Sequence, residues 1–371
     1  MNRILIIILL LSFVIIFFLG IFVGVYKYFP YSESNNLKNQ LETNTLELDN
    51  RSFDLVDVDN KISLQNTNDL EEKREELIQF IWKTNSLPKQ LPTFVDSDIS
   101  DERFSALSNL KQIDRLTIDM EYGLSSIVYI FSPENNNGDL IIYHQGHSGG
   151  FINGKSTIQK FLNNGFTVAA FSMPLIGLNN QPIIELENIG QVKLFKHNQF
   201  VFLESETFSS MSYFFTPITV TLNHLSNNYS FENFHMVGIS GGGWTTTIYP
   251  ALDSRITKSF SVAGSLPLSL RTIIDEVGDY EQYNPEFYSI ANYMEFYIMS
   301  SYGENRKHVQ IYNKFDPCCF AISSFDLFEN SMIEYLSKFN SGNFDIIIDD
   351  TNNQHKISEY MINLIITEIN N

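Results

Sequence analysis

Cysteine and basic residues are both scarce in this chain of 371 residues. The only two cysteines, Cys318 and Cys319, are adjacent, which excludes a disulfide framework and a metal site built from cysteine alone. Two buried thiols are the expected state, with a bond between the neighbours as the alternative. The 24 lysines and arginines are outnumbered by 43 acidic residues, so the net charge is -19. Phosphate backbones repel such a surface, so we expect no nucleic-acid partner.

The N-terminal segment 4–26 is a long apolar run, interrupted only by one serine and two glycines. At about 1.5 Å per residue it spans ~34 Å, which exceeds a hydrocarbon core of about 30 Å. The apolar part of a cleaved signal peptide is shorter, about 7–15 residues. The sequence therefore predicts an uncleaved transmembrane helix within residues 1–31 and membrane contact through residues 4–26. The very short N-terminus favours a single-pass signal-anchor with the rest of the chain outside the cytoplasm, in a periplasm or lumen.

Composition divides the remaining chain into two parts. Residues 32–68 are rich in Asn, Asp, Glu and Ser and predict an acidic, flexible stalk. Residues 69–371 have the composition of a globular domain. The domain begins with a predicted helix over 69–83, for which Asn68 and Glu71 can form a capping box.

From about residue 112 the chain alternates between strand and helix patterns. Residues 116–120 and 127–131 flank a turn at Gly123 and predict an antiparallel hairpin. Short continuous apolar runs then follow, which is typical of strands buried on both faces of a parallel sheet. These runs are 140–143, 167–171, 234–237, 260–262, 309–312 and 344–348, with helical patterns at 157–162, 217–225 and 357–369. We therefore predict an α/β fold: a mostly parallel sheet opened by an antiparallel hairpin, with helices on both faces.

Residues 238–242 match the pattern G-x-S-x-G. A predicted strand ends just before them, and a helix is expected to begin at about Trp244. A sharp strand-to-helix turn of this kind exposes a serine hydroxyl above the edge of a sheet, and its tightness requires small neighbours. The pattern therefore predicts Ser240 as a nucleophile, with an idle serine in a glycine-rich turn as the alternative.

A serine hydroxyl needs a base to take its proton, and the base needs an acid to orient it. Of the seven histidines, only His355 follows the last predicted strand, whereas His308 begins a strand and is expected to be an exposed edge residue. Asp316 lies in the loop after the strand at 309–312; other late aspartates lie within a strand or beside the loop of the histidine. The order Ser240, Asp316, His355 is the one that this chemistry shows on α/β sheets. We predict these three residues as a triad.

Acyl transfer also needs two N–H donors for the developing oxyanion, each worth about 3 kcal/mol. The amide of Gly241, next to the nucleophile, is one candidate. The other is the backbone amide of His147, in the loop His-Gln-Gly-His that begins at His144, with simple turn chemistry as the alternative. His144 and His147 also suggest a metal, but no third ligand is evident in the sequence, so we expect none.

With these motifs in place, the chain from about residue 72 to its end resembles the α/β-hydrolases, in particular dienelactone-hydrolase-like and acetylxylan-esterase-like esterases. The resemblance rests on the loop 144–147, the turn 238–242, the segment 251–256, Asp316 and His355. It implies a catalytic domain over 69–371 that hydrolyses carboxylic esters through a Ser-His-Asp triad and an acyl-enzyme intermediate, without a cofactor. The implied substrate is a small-molecule or polymer-linked ester; peptidase activity is a further alternative.

Two long connections and one competing motif remain. Residues 181–207 and 265–306 are too long for simple connections and predict insertions; the aromatic residues of the second either line a substrate pocket or pack in the interior. Residues 149–156 fit the phosphate-loop pattern G-x-x-x-x-G-K-[ST], which leaves a nucleotide-binding protein as an alternative. A non-catalytic binding domain with a hydrolase fold is the second alternative, although the intact Ser, Asp and His argue against it.

Overall fold

The computed structural model describes residue 17 and residues 62–187, 189–271, 277–321 and 326–371. Asp54–Asn371 form one compact unit, and a nine-stranded sheet runs through its described residues. The strands of this sheet are β1 (Phe94–Asp96), β2 (Leu110–Asp119), β3 (Ser125–Pro133), β4 (Leu140–His144), β5 (Thr167–Phe171), β8 (Phe234–Ile239), β9 (Ile256–Val262), β10 (Lys307–Asn313) and β11 (Asn343–Asp349). They lie side by side in the order β1-β2-β3-β5-β4-β8-β9-β10-β11. A separate hairpin pairs β6 (Ile183–Leu186) with β7 (Gly190–Lys193).

The sheet has an antiparallel start and a parallel body. β1, β2 and β3 pair antiparallel, and β3 joins β5 in the same sense. From β5 onward, through β4, β8, β9, β10 and β11, all neighbours are parallel. Parallel neighbours need crossover connections, and the helices between the strands provide them. The predicted opening hairpin and mostly parallel sheet are therefore confirmed.

The described helices connect and cover the strands. They are α1 (Thr67–Trp82), α2 (Lys155–Asn163), α3 (Ser212–Asn228), α4 (Gly241–Leu252), α5 (Tyr280–Tyr283), α6 (Pro285–Ile290), α7 (Tyr293–Ser301), α8 (Asp326–Phe339) and α9 (Glu359–Asn370). The segment 181–207 contains the β6–β7 hairpin, and the segment 265–306 contains α5, α6 and α7. The tertiary structure thus fills both long connections with elements of their own.

One large apolar cluster lies between the sheet and helices α2 and α9. β8 contributes Val237 and Ile239, alternate residues that point to the same face of the sheet. Phe161 of α2 and Ile365 of α9 pack against that face, and both are fully buried. Helices α3, α4 and α7 also contact strands, but none of their described residues belongs to this cluster, so they cover the opposite face.

The start of α1 differs from the expected cap by two residues. Asn66 caps the helix and Asp69 completes the capping box, in place of Asn68 and Glu71. Both pairs have the same spacing and suitable side chains, so the local pattern allows either. The buried face of the helix, with Leu70 among its residues, determines which turn comes first.

The predicted transmembrane helix is wrong. No helix among the described residues is long and apolar enough to cross a bilayer. The longest of them, α3, has 17 residues, which at about 1.5 Å each is shorter than a hydrocarbon core of about 30 Å. The predicted span, residues 4–26, lies outside the described residues except for Phe17. The expectation of a single-pass membrane protein with an extracytoplasmic domain depended on that helix, so it is wrong as well.

Candidate active site

Ser240 lies on the turn between β8 and α4, with φ 58° and ψ -127°. Positive φ is costly for a residue with a side chain, so the surrounding structure must impose it. The amide of Ser240 donates to the carbonyl of Val262 on β9, and its carbonyl accepts from the amide of Trp244. These bonds connect the turn to the sheet on one side and to the helix on the other. The backbone thus has the sharp strand-to-helix geometry that the motif predicted.

The glycines of the turn are required by close backbone packing. A Cβ on Gly242 would lie 2.0 Å from the carbonyl oxygen of His144, and one on Gly238 would lie 2.1 Å from that of Gly242. A Cβ on Gly146 would lie 2.5 Å from the Cβ of Ser240 and 3.0 Å from its Oγ. Any larger residue at these positions would force the backbone to shift. The loop after β4 therefore lies directly against the serine.

Asp316 and His355 form a hydrogen-bonded pair. Nδ1 of His355 lies 2.8 Å from Oδ2 of Asp316, whose side chain is fully buried. Asn313 donates to the same oxygen at 3.1 Å, and the amides of Cys318 and Cys319 donate to Oδ1 at 2.8 Å and 3.1 Å. The aspartate accepts four hydrogen bonds, so its position is strongly constrained. A carboxylate at this position keeps the imidazole hydrogen on Nδ1.

The other ring nitrogen of His355 is free to accept a proton. Nε2 is buried and has no hydrogen-bond partner among the described residues. A buried nitrogen without a partner is uncommon, because it loses the hydrogen bonds that water would supply. In the tautomer that donates from Nδ1, Nε2 carries a lone pair. The pair thus has the form of an oriented base.

Ser240, Asp316 and His355 lie at the same edge of the sheet. One row of paired residues crosses β8, β9, β10 and β11, from Ile239 to Ile347. Ser240 directly follows the start of that row, and the other two residues lie in the loops after β10 and β11. Since parallel strands point the same way, all three residues lie beyond their carboxyl ends. This is where ligands bind in open α/β sheets.

Known proteins resemble this chain in fold rather than in sequence. No protein-family model and no curated protein sequence matches the chain. Acetyl xylan esterase from Paenibacillus sp. R4 superposes with a TM-score of 0.56 at 14% identity, over 84% of this chain and 97% of that one. Acetyl xylan esterase 1 from Thermoanaerobacterium sp. JW/SL YS485 gives 0.53 at 13% identity, over 81% and 93%. Methylesterase BT1017 gives 0.57 at 13% identity, over 90% and 67%.

The chain has the α/β-hydrolase fold. The resemblance inferred from its motifs is thereby confirmed at the level of the fold. The turn at Ser240, which we call the elbow, lies between a central strand of this fold and the helix that follows it. The loop with Gly146 follows the neighbouring strand β4.

Gly241 and His147, the two residues predicted to supply the oxyanion donors, are in contact. A Cβ on Gly241 would lie 2.5 Å from Cε1 of His147, so the imidazole lies directly over that glycine. The amide of Gly241 begins α4 and has no partner within the helix, because the first amides of a helix never do. His144 is buried, and burial lowers its pKa to about 4. Nδ1 of its ring lies 3.0 Å from the carbonyl oxygen of Gln145.

The ring of His147 belongs to a polar cluster that the sequence did not predict. Its Nε2 lies 2.9 Å from Oε1 of Glu281 and 3.1 Å from Nδ1 of His197. Burial alone would raise the pKa of Glu281, but the charge and hydrogen bonds of His197 and the hydrogen bond of His147 outweigh it and hold that pKa well below its usual range. Nothing in the local pattern around His197 or Glu281 distinguishes them from surface residues.

Three further expectations concern other residues of the domain. The cysteines are joined by a disulfide and are not buried, unlike the two buried thiols expected. His308 is fully buried rather than exposed, because β10 lies between two other strands. The aromatic residues of the segment 265–306 pack mainly on one another, with Phe287 stacked on Phe296 and Tyr288 on Tyr293.

The phosphate-loop motif has a structural explanation. A Cβ on Gly154 would lie 2.1 Å from the hydroxyl of Tyr143, so packing requires this glycine. The ammonium of Lys155 donates to the carbonyl of Arg103. Both residues thus have roles that involve no nucleotide, and the structure lends that alternative no support.

Proposed function

We propose that the chain is a serine hydrolase that cleaves carboxylic esters, with Ser240 as nucleophile. The observation that carries the proposal is the backbone of Ser240, held at φ 58° on a turn packed among glycines. Strain of this kind persists only where the rest of the fold imposes it, and it concentrates at functional sites.

In the proposed mechanism His355 is the general base and Asp316 orients it. Nε2 takes the proton of Ser240 as Oγ attacks the ester carbonyl carbon. The 2.8 Å bond from Nδ1 to Asp316 stabilises the imidazolium that forms. The C–O bond to the alcohol then breaks, and His355 returns the proton to the leaving alkoxide. Water, activated by the same base, attacks the acyl-enzyme and releases the acid.

The amides of Gly241 and His147 are the proposed oxyanion donors. Gly241 is positioned by the elbow, and His147 by the loop that packs against Ser240. Two amides aimed at the developing charge lower the barrier because they are already oriented before the reaction begins. No cofactor takes part in these steps.

We further propose that the acyl or alkyl group is small. Two of the superposed proteins are named as acetyl xylan esterases and one as a methylesterase. Acetylated polysaccharide is therefore the first natural substrate to test, beside p-nitrophenyl acetate and its longer-chain analogues. Higher kcat/KM on octanoate than on acetate would contradict the proposed preference.

The central experiment combines a fluorophosphonate probe with ester hydrolysis. Wild-type protein should be labelled at Ser240 and hydrolyse p-nitrophenyl acetate, and Ser240→Ala should lose both, with kcat at least about a thousandfold lower. Ser226→Ala, at an exposed position on α3, is the matched control and should behave as wild type. Activity that survives Ser240→Ala would show that the nucleophile is elsewhere.

A further inference from the structure

A four-residue polar cluster lies beside the elbow and has no role in the proposed triad. Its members are His147, His197, Asp279 and Glu281, and one ligand atom from each lies within 4.8 Å of all the others. They come from the loop after β4 and from the two long connections. His197 and Glu281 are buried, and the other two are partly exposed. The cluster therefore has a closed inner side and an open outer side.

The inner three atoms lie at the spacing of metal ligands. Oε1 of Glu281 is 2.9 Å from Nε2 of His147 and 3.0 Å from Nδ1 of His197, and the two nitrogens are 3.1 Å apart. Tetrahedral zinc binds nitrogen and oxygen at about 2.0–2.2 Å, which places neighbouring ligand atoms about 3.3 Å apart. Oδ2 of Asp279 lies 3.4 Å from Nε2 of His147, on the exposed side. Three such atoms can close around one ion with little movement.

The hydrogen-bond partners of His197 indicate that the centre of the cluster should hold a positive charge. Nε2 of His197 lies 2.9 Å from the carbonyl oxygen of Pro174, which can only accept, so Nε2 carries the hydrogen. In the neutral ring, Nδ1 then directs a lone pair at the carboxylate of Glu281. Two lone pairs 3.0 Å apart repel unless a proton or a cation lies between them. The bond to Pro174 is also the outer contact that typically orients a metal-binding histidine.

Glu281 supplies a second, independent sign of a missing partner. Its side chain is fully buried, and its Oε2 has no hydrogen-bond partner among the described residues. A buried carboxylate oxygen without a donor is costly, and metal coordination is one of the few ways to compensate for it. The two nitrogens already lie on Oε1, so added protons on the histidines would still leave Oε2 without a partner, whereas an ion held by both carboxylate oxygens would give it one.

We propose that His147, His197 and Glu281 bind a zinc ion, with Asp279 as the fourth ligand. Imidazole nitrogens and carboxylate oxygens are both donors that zinc takes in proteins. The ion would fix the ring of His147 and hence the loop that packs against Ser240. This positioning role rests on the proposed function, whereas zinc binding itself does not.

The test measures zinc on the full-length protein, freed of metal by a chelator and titrated with zinc alone. We expect one zinc per chain by mass spectrometry, and affinity more than about a hundredfold lower in Glu281→Gln and His197→Gln, because even outer contacts of a metal site cost about 10–100-fold. Glu286→Gln and His224→Gln are matched controls outside the cluster and should bind as wild type. Asp279→Asn removes an exposed ligand, so it tests the site even if the buried variants do not fold.

Cobalt supplies a spectroscopic readout. Bound cobalt(II) should give visible absorption typical of four-coordinate nitrogen and oxygen ligands, which Asp279→Asn should shift. The proposal is overturned if the protein does not bind one zinc per chain, or if every variant binds zinc with equal affinity. The cluster would then be explained as a protonated His–Glu pair. Ser240→Ala should still bind zinc but lose ester hydrolysis. The experiment therefore distinguishes a failure of the zinc proposal from a failure of the proposed hydrolase function.

Discussion

The Asp316→Asn variant tests the proposed base most directly. Oδ1 of Asp316 accepts from the amides of Cys318 and Cys319, while Oδ2 accepts from Nδ1 of His355 and from Asn313. An asparagine can keep its oxygen on the two amides, which holds the loop. Its NH2 group then faces the Nδ1 hydrogen of His355, where two donors cannot bond. The ring must move its hydrogen to Nε2, and Nε2 can no longer accept the proton of the nucleophile.

The expected loss is large in activity and moderate in stability. A wrong tautomer in this chemistry costs about a factor of 10³–10⁴ in kcat, which corresponds to ~4–5.5 kcal/mol of barrier. Loss of a charged hydrogen bond costs about 1.5–3 kcal/mol of folding free energy. The assay is p-nitrophenyl acetate turnover with urea unfolding in parallel, and Asp350→Asn, an exposed carboxylate near the same histidine, is the control. The reasoning is refuted if Asp316→Asn keeps turnover within tenfold of wild type, or if Asp350→Asn loses as much.

Two further predictions concern packing and pH. Gly146→Ala places a Cβ 2.5 Å from that of Ser240. We therefore expect thermal melting to show ~1–3 kcal/mol of destabilisation and ester turnover to fall. Unchanged turnover would show that the loop does not lie at the reacting serine. Burial lowers the pKa of His308 to about 3, so only the unfolded chain takes up its proton between that value and ~6.5. The free energy of unfolding should therefore be about 2 kcal/mol lower at pH 5 than at pH 7.5. In urea unfolding, His308→Gln should show a decrease that is smaller by this amount.

Local patterns and long-range packing determined different parts of the structure. Apolar runs predicted six of the sheet strands because a strand buried on both faces must be apolar along its length. The short edge strand β1 and the β6–β7 hairpin were missed, since an exposed strand lacks that pattern. The turn at Ser240 was visible because its strain requires glycines at fixed positions. The apolar segment at 4–26 satisfied a length criterion, yet no described helix can span a membrane.

The sequence by itself determined most strands of the main sheet and the order of the candidate triad, because strand burial, turn strain and chain order depend on residues that are close together in the chain. Only the tertiary structure decided which side chains meet. His147 and Glu281 are 134 positions apart, and no local pattern links them. They come together because two long connections fold back over the carboxyl edge of the sheet, and that path depends on the packing of the whole domain.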